Sequence, residues 1–400
     1  MAALSPLSSV QISTSPVKSV AAPAESARDW WVEIVRDRSQ LAAREKEWSA
    51  LAQVTVAPNV FFEPWMLLPA VQTYDLDKNL SFAFVYHRDP RPKQPPQLCG
   101  FFPLEKRKRS LRFPIQQLSL WQHQYTVLCT PLIHRDWTRE VLNTFFVGIE
   151  AEEPCSLLRL PMIHGDGEFH QALTDVLNQR GALSFIEETW NRALLKRGHD
   201  AESYCVAAMN HLSRKEWNRK RRRLSEQGKL ESRVLQPHED AEPWIEQFLT
   251  LEASGWKGAE GTALTVEAQT RAFFRTIALA ARERNQLQML GLWFNDEPIA
   301  LKCNFLTSDG GYAFKIAFDE KYAKSSPGVQ LELDNIAALH QRDDIRWMDS
   351  CAVPNHPMIN RLWKDRRTIE TRVVAMSRWA GNAVVGLWPM YRALKRMLRG

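Results

Sequence analysis

A two-lobed α/β fold, each lobe a mixed and largely antiparallel sheet flanked by helices, is the fold class this sequence predicts. Three observations predict it. The second half reads strand, helix, helix, three strands, helix, strand, helix, strand, which is not the strict alternation of a doubly wound sheet. Two turn signals, Asn295-Asp296-Glu297 and Ser308-Asp309-Gly310-Gly311, join the three consecutive strands into an antiparallel meander. The first half echoes the second: Phe61-Phe62-Glu63-Pro64-Trp65 precedes a hairpin ending in Gly100-Phe101-Phe102-Pro103-Leu104, as Phe248…Trp256 precedes a hairpin containing Pro298-Ile299-Ala300. An internal duplication spaced by roughly 190 residues would leave this echo, and so would a chance likeness.

Composition bounds the rest. Of 400 residues, 44% are hydrophobic, 24% charged and 10% aromatic, which excludes a disordered, collagenous or coiled-coil chain. No run of about 18 apolar residues is free of charge, so no membrane-spanning helix is expected. The net charge of +6 is mild. Cys99, Cys129, Cys155, Cys205, Cys303 and Cys351 stand singly, without CxxC or Cys/His spacing, so no metal site is expected and the thiols read as reduced, in a cytoplasmic protein.

In chain order, residues 1–28 hold seven Ser, six Ala and three Pro against three charges, and read as a disordered tail without a signal-peptide core. Leu80–His87 and Leu98–Leu104 alternate as strands around the proline-rich insertion from Arg88 to Gln97, which cannot donate a sheet ladder. Phe169–Arg180 reads as a helix stopped by Gly181. Beyond it come a strand over Glu231–Leu235, a helix over Pro243–Ser254 and a helix over Glu267–Arg284 with Phe273, Ile277 and Ala281 on one face. Strands follow over Gln288–Phe294, Pro298–Leu306 and Tyr312–Phe318. Then come a helix from Pro327 to His340, a strand over Ile345–Asp349, a helix over Pro357–Trp363 and a strand over Ile369–Ala375. The expected organisation is a tail (1–28), a first lobe (29–200), a second lobe (201–376) and a C-terminal helix (377–400).

Two local patterns carry chemistry. Glu252-Ala-Ser-Gly-Trp256-Lys257-Gly and Phe318-Asp-Glu-Lys-Tyr-Ala-Lys-Ser325-Ser326-Pro327-Gly328-Val329-Gln330-Leu, together with Arg221-Arg-Arg-Leu224 upstream, resemble the GNAT acyltransferases. The nearest branch in pattern is the acetyltransferase-like domain of cellulose- and exopolysaccharide-biosynthesis proteins, which is related to the Fem peptidyltransferases with their tandem GNAT-like domains. The resemblance spans roughly 55–375 and is strongest over 213–375. It implies tandem GNAT-like lobes, the first one degenerate, and acyl-CoA (acetyl-CoA) as co-substrate.

Physics supports a phosphate role at Pro327-Gly328, because a helix N-terminus offers unpaired N–H groups and partial positive charge. Gly328, Val329 and Gln330 would present amides, with a hydroxyl from Ser325 or Ser326. Of the usual Arg/Gln-x-x-Gly-x-Gly/Ala loop only Gly328 is in place, since Ser325 and Gln330 occupy the outer positions. An ordinary strand-to-helix turn with a serine cap would look the same.

For transfer to an amine, a base and an acid are needed. Asp349, ending a strand, and His356, held between Pro354 and Pro357, are the candidates; a turn cap and a surface histidine are the plainer readings. Glu252, Trp256 and Lys257 fall where the resemblance places the acceptor, here a small molecule or saccharide. An aminoacyl-tRNA-dependent transferase of the Fem kind and a catalytically silent adaptor are the alternatives.

The basic run Ser213–Arg223 reads either as a polyanion site or as a solvated helix with Trp217 and Leu224 inward; nucleic acid is not the expected partner. In 377–400, Trp379, Ala383, Leu387, Tyr391, Leu394 and Leu398 share a helical face, with Arg392, Lys395, Arg396 and Arg399 mostly opposite. That stripe fits either peripheral contact with the inner membrane surface or docking on the chain's own core.

Overall fold

The computed structural model describes residues 29–75, 79–89, 95–107, 115–255, 260–261, 263–377 and 379–397. The expected tail, the middle of the proline-rich insertion, Trp256 and Lys257 lie outside these residues.

The first lobe runs β1 (Trp30–Val35), α1 (Glu45–Gln53), α2 (Pro64–Tyr74), β2 (Leu80–His87), β3 (Gln97–Arg107), β4 (Gln117–Leu120), β5 (Leu132–Ile133), α3 (Thr138–Glu152), β6 (Leu157–His164), α4 (Gly167–Gln179) and β7 (Ser184–Lys196). Helices α5 (Ala201–Ala208) and α6 (His211–Ser225) connect it to the second lobe. That lobe runs β8 (Leu230–Val234), α7 (Glu242–Ser254), α8 (Ala268–Glu283), β9 (Leu287–Phe294), β10 (Glu297–Leu306), β11 (Gly310–Phe318), α9 (Pro327–His340), β12 (Trp347–Asp349), α10 (Ile359–Leu362) and β13 (Asp365–Ala375). Helix α11 (Ala380–Met397) closes the chain.

The order of elements in the second lobe is the one the sequence predicts. Its meander forms as expected: β10 pairs antiparallel with both β9 and β11. Boundaries move where pairing overrides local signals. Strand β13 begins at Asp365 rather than Ile369 because β7 already pairs with it from Asp365, before β6 joins at Ile369. Helix α10 keeps only the core, Ile359–Leu362, of the expected 357–363.

One continuous sheet crosses both lobes in the order β1-β2-β3-β4-β6-β13-β7-β12-β11-β10-β9-β8. Read outward from the centre, the two halves match element for element, and the parallel pairs β4/β6 and β11/β12 occupy equivalent places. This is the internal duplication that the sequence left undecided. Each lobe gives its last strand to the other: β13 lies between β6 and β7, and β7 lies between β13 and β12. The lobes therefore cannot separate without breaking the ten-residue register of β7 with β13.

At this seam the sheet buries charge. Asp349 is fully buried, with its carboxylate 3.5 Å from Arg192 and 3.3 Å from Arg367 and accepting the Cys351 amide at 2.8 Å. Arg192 donates to the Val127 carbonyl at 2.8 Å. His164 sits close by, and burial together with the two guanidiniums holds its imidazole well below the usual histidine range. His123, stacked on Tyr74 at 5.0 Å, is likewise pushed down by burial, to about 3.

Both histidines are neutral in the fold and titrate near 6.5 once unfolded, so the unfolded chain binds more protons below that pH. Stability is then complete above about pH 6.5 and falls as pH drops toward the folded value, by up to about 1.4 kcal/mol per pH unit for each histidine. Denaturant midpoints should shift down between pH 7 and pH 5, and His123→Phe should flatten that slope.

Candidate active site

Strands β11 and β12 pair only over Gly310↔Trp347, Gly311↔Met348 and Tyr312↔Asp349. Beyond this they part, because β11 continues to Phe318 while the segment after β12 turns away through Cys351, whose φ is 55°. A cavity of about 420 Å³ opens between the diverging arms. Ile316, Ala317 and Phe318 form one wall, Leu251, Glu252 and Gly255 from the end of α7 another, and His356 and Met358 a third. The mouth is made by Ala323, Ser326, Pro327, Gly328 and Val329 at the start of α9. The lining is mostly apolar, with Glu252, His356 and Ser326 as its polar side chains.

The local sequence builds the mouth. Ser326 takes a left-handed conformation (φ 55°, ψ 53°) and Pro327 supplies the fixed φ of a first helical residue. The Ser326 carbonyl accepts both the Val329 amide (3.0 Å) and the Gln330 amide (3.1 Å). That leaves the Gly328 amide as the one at this helix start without a backbone acceptor. A Cβ on Gly328 would stand 3.5 Å from Phe318 and 3.7 Å from Met358, so position 328 faces the cavity. Lys220 of α6 donates to the Ser326 hydroxyl at 3.0 Å, which sets a cation beside the mouth.

The sequence candidates divide accordingly. Glu252, Ser326, Gly328, Val329 and His356 meet at this cavity. Ser325 does not line it. Gln330 is buried; its side-chain amide donates to the Trp217 carbonyl at 2.8 Å, fastening α6 to α9, and its backbone amide is taken by the Ser326 carbonyl. Asp349 is also placed elsewhere: it lies at the apex where the strands part, with both oxygens taken by arginines and an amide.

Glu252, with a fully buried side chain, accepts from Lys315 at 3.2 Å and from the Leu264 amide at 2.9 Å. The His356 Nδ1 accepts the Ile359 amide at 3.3 Å, which fits the tautomer carrying its proton on Nε2. Among the described residues, no group of three or more His, Cys, Asp or Glu is placed to hold a metal.

The sequence missed Lys220 as a site residue. Its signal was the basic run, whose Trp217 and Leu224 do point inward; Arg221 is spent on Asp334 at 3.2 Å and Arg222 on Glu226 at 3.4 Å. Lys220 also pairs with Glu216 at 3.2 Å within α6; the packing of α6 against α9 brings it to Ser326 as well.

The equivalent opening in the first lobe is occupied. Beside β6, the Cys129 amide donates to the Met162 carbonyl at 3.0 Å, and Thr130 accepts the His164 amide at 2.9 Å. The segment following β4 thus lies along the β6 edge that a ligand would need.

Comparison with known proteins agrees with this geometry. The chain is similar in fold to a crystal structure of FemX, at 9% identity and a TM-score of 0.55, covering 82% of this chain and 95% of that one. It is also similar to a conserved protein of unknown function from Bacteroides thetaiotaomicron, at 11% identity and a TM-score of 0.51, covering 84% and 97%. Identities this low speak for the fold alone. No curated protein sequence matches the chain. Residues 212–356 match the family model of the acetyltransferase (GNAT) domain, so the second lobe, from its basic helix to the histidine at the cavity, carries a GNAT-type acetyltransferase domain.

Proposed function

We propose that the second lobe transfers an acyl group, acetyl in the simplest case, from acyl-coenzyme A to an amine. The observation that carries this reading is the cavity between the parted arms of β11 and β12. Its apolar walls suit a thioester arm, and its mouth combines the Gly328 amide, the positive end of α9 and Lys220 for a pyrophosphate. A volume near 420 Å³ falls in the range of small-molecule sites, roughly 300–1,000 Å³.

The polar side chains then divide the proton work. The acceptor nitrogen attacks the thioester carbonyl and gives up a proton toward Glu252, the carboxylate of the cavity wall. The carbon–sulfur bond breaks, His356 Nε2–H hydrogen-bonds to the departing thiolate, and the proton the thiolate finally takes is the one given up by the amine. Asp349 acts on neither atom; it fixes the apex from which the two arms diverge. A saccharide or envelope precursor as the amine-bearing acceptor rests on the resemblance of the 252–258 and 318–331 patterns.

Incubating the protein with acetyl-CoA and a panel of amino sugars, and following free thiol, tests the reading. Thiol release that depends on an amine is expected, and His356→Gln should lower kcat by about 10²–10⁴ while KM for acetyl-CoA holds. Release unaffected by the substitution would remove His356 from the chemistry.

A further inference from the structure

Helix α11 has two apolar faces and uses one of them. On its inner side Val385 is buried with Leu157, Val373 and Ala375, Val384 packs on the same cluster, and Trp388 stacks on Phe185 at 4.4 Å. Gly381 permits this approach, since a Cβ there would come within 2.4 Å of the Ser156 carbonyl oxygen. Positions 381, 384, 385 and 388 recur at three- and four-residue steps and so share one side of the helix.

The stripe through 379, 383, 387 and 390 runs along the other side. There Trp379 is 91% exposed, Leu387 58% and Met390 70%. The sequence predicts an apolar stripe through 379, 383, 387, 391, 394 and 398, open between docking on the core and meeting a membrane; the side chains of 391, 394 and 398 lie outside those described. At 379, 383 and 387 the stripe does not dock on the core; a second stripe does. A nearly bare tryptophan in line with leucine and methionine is apolar surface of the kind that marks an interaction site.

The charge identifies the occupant. Residues 377–400 contain Arg378, Arg392, Lys395, Arg396 and Arg399, and no Asp or Glu. The helix is not long and apolar enough to cross a bilayer. An outward apolar stripe with tryptophan, on a segment whose sequence carries only positive charges, matches a helix lying in the headgroup plane of an anionic membrane. We propose that α11 attaches the protein to an anionic lipid surface through Trp379, Leu387 and Met390, with the body of the protein on the far side of the helix. The proposal stands apart from acyl transfer, because no residue of the cavity takes part in it.

Co-sedimentation of the full chain with vesicles of phosphatidylglycerol and phosphatidylcholine, against phosphatidylcholine alone, tests it. Pelleting with the anionic vesicles is expected, weakened by salt and roughly tenfold poorer on the neutral ones. The double variant Trp379→Glu/Leu387→Glu touches only exposed positions, so it should elute and unfold like the parent while binding anionic vesicles at least about tenfold more weakly. Three results would overturn the proposal: the parent fails to pellet, the variant pellets equally, or the parent self-associates in solution and the variant does not. The last would give the stripe to a second copy of this chain.

Discussion

Replacing Asp349 by alanine should cost the folded chain about 3–5 kcal/mol, the loss typical when one partner of a buried ion pair is removed. The carboxylate is fully buried, and the side chain of Arg192 is only 4% exposed. Arg192 already has Nε and Nη1 without hydrogen-bond partners, so the 3.5 Å ion pair with Asp349 is its main electrostatic compensation there. Arg367, 13% exposed on its side chain, loses the same partner and keeps its stacking on Trp347 at 4.3 Å.

Because these groups come from β7, β12 and β13, the loss falls on the seam that joins the lobes and should appear as one lowered cooperative transition. Asp349→Asn should destabilise in the same direction, since it removes the charge from an arginine pair. A base that served only catalysis would behave differently: the asparagine variant would unfold like the parent and lose activity alone. Urea denaturation followed by tryptophan fluorescence separates the two.

The second large effect belongs to Gly328. Gly328→Asp would carry a carboxylate into the mouth of the cavity, against the pyrophosphate expected there. At a separation of about 4 Å the repulsion per unit charge is about 1 kcal/mol in water and about 4 kcal/mol near a protein surface. Affinity for acetyl-CoA should accordingly fall by at least about fivefold and up to about a thousandfold. The control is Gly328→Ala. Its Cβ meets Phe318 and Met358 at 3.5 and 3.7 Å, ordinary van der Waals contact, and the position needs no left-handed backbone. The alanine variant should fold like the parent and lose less affinity than the aspartate variant. Equal losses would mean that space, not charge, governs the mouth.

How much of this could be read in the sequence follows the range of the forces involved. The meander was legible because Asn295-Asp296 and Gly310-Gly311 are local turn signals, and helix α9 because Pro327-Gly328 marks its start. Strand exchange was not legible. Nothing near Ser184 or Asp365 says that β7 will cross to the other lobe, since the pairing is decided by residues nearly two hundred positions away.

The site was half legible for the same reason. Gly328 and His356 announce themselves by helix and proline context. Asp349 reads as a base because a carboxylate at a strand end is a common place for one; the convergence of Arg192 and Arg367 on it comes from β7 and β13 and has no local signal. Gln330 looked like part of a phosphate loop by position, while its partner Trp217 lies on a separate helix. Lys220 was one cation among many until the packing of α6 brought it to Ser326.

The claim on which the account turns is that the cavity at the parted strands holds an acyl-CoA. Isothermal titration of the full chain with acetyl-CoA measures it without assuming an acceptor. The account predicts saturable one-to-one binding, weakened by salt because phosphate recognition at Lys220 and the helix start is electrostatic. Absence of binding to a protein that unfolds cooperatively would contradict it, and would leave the GNAT-type domain of this chain with a donor other than coenzyme A.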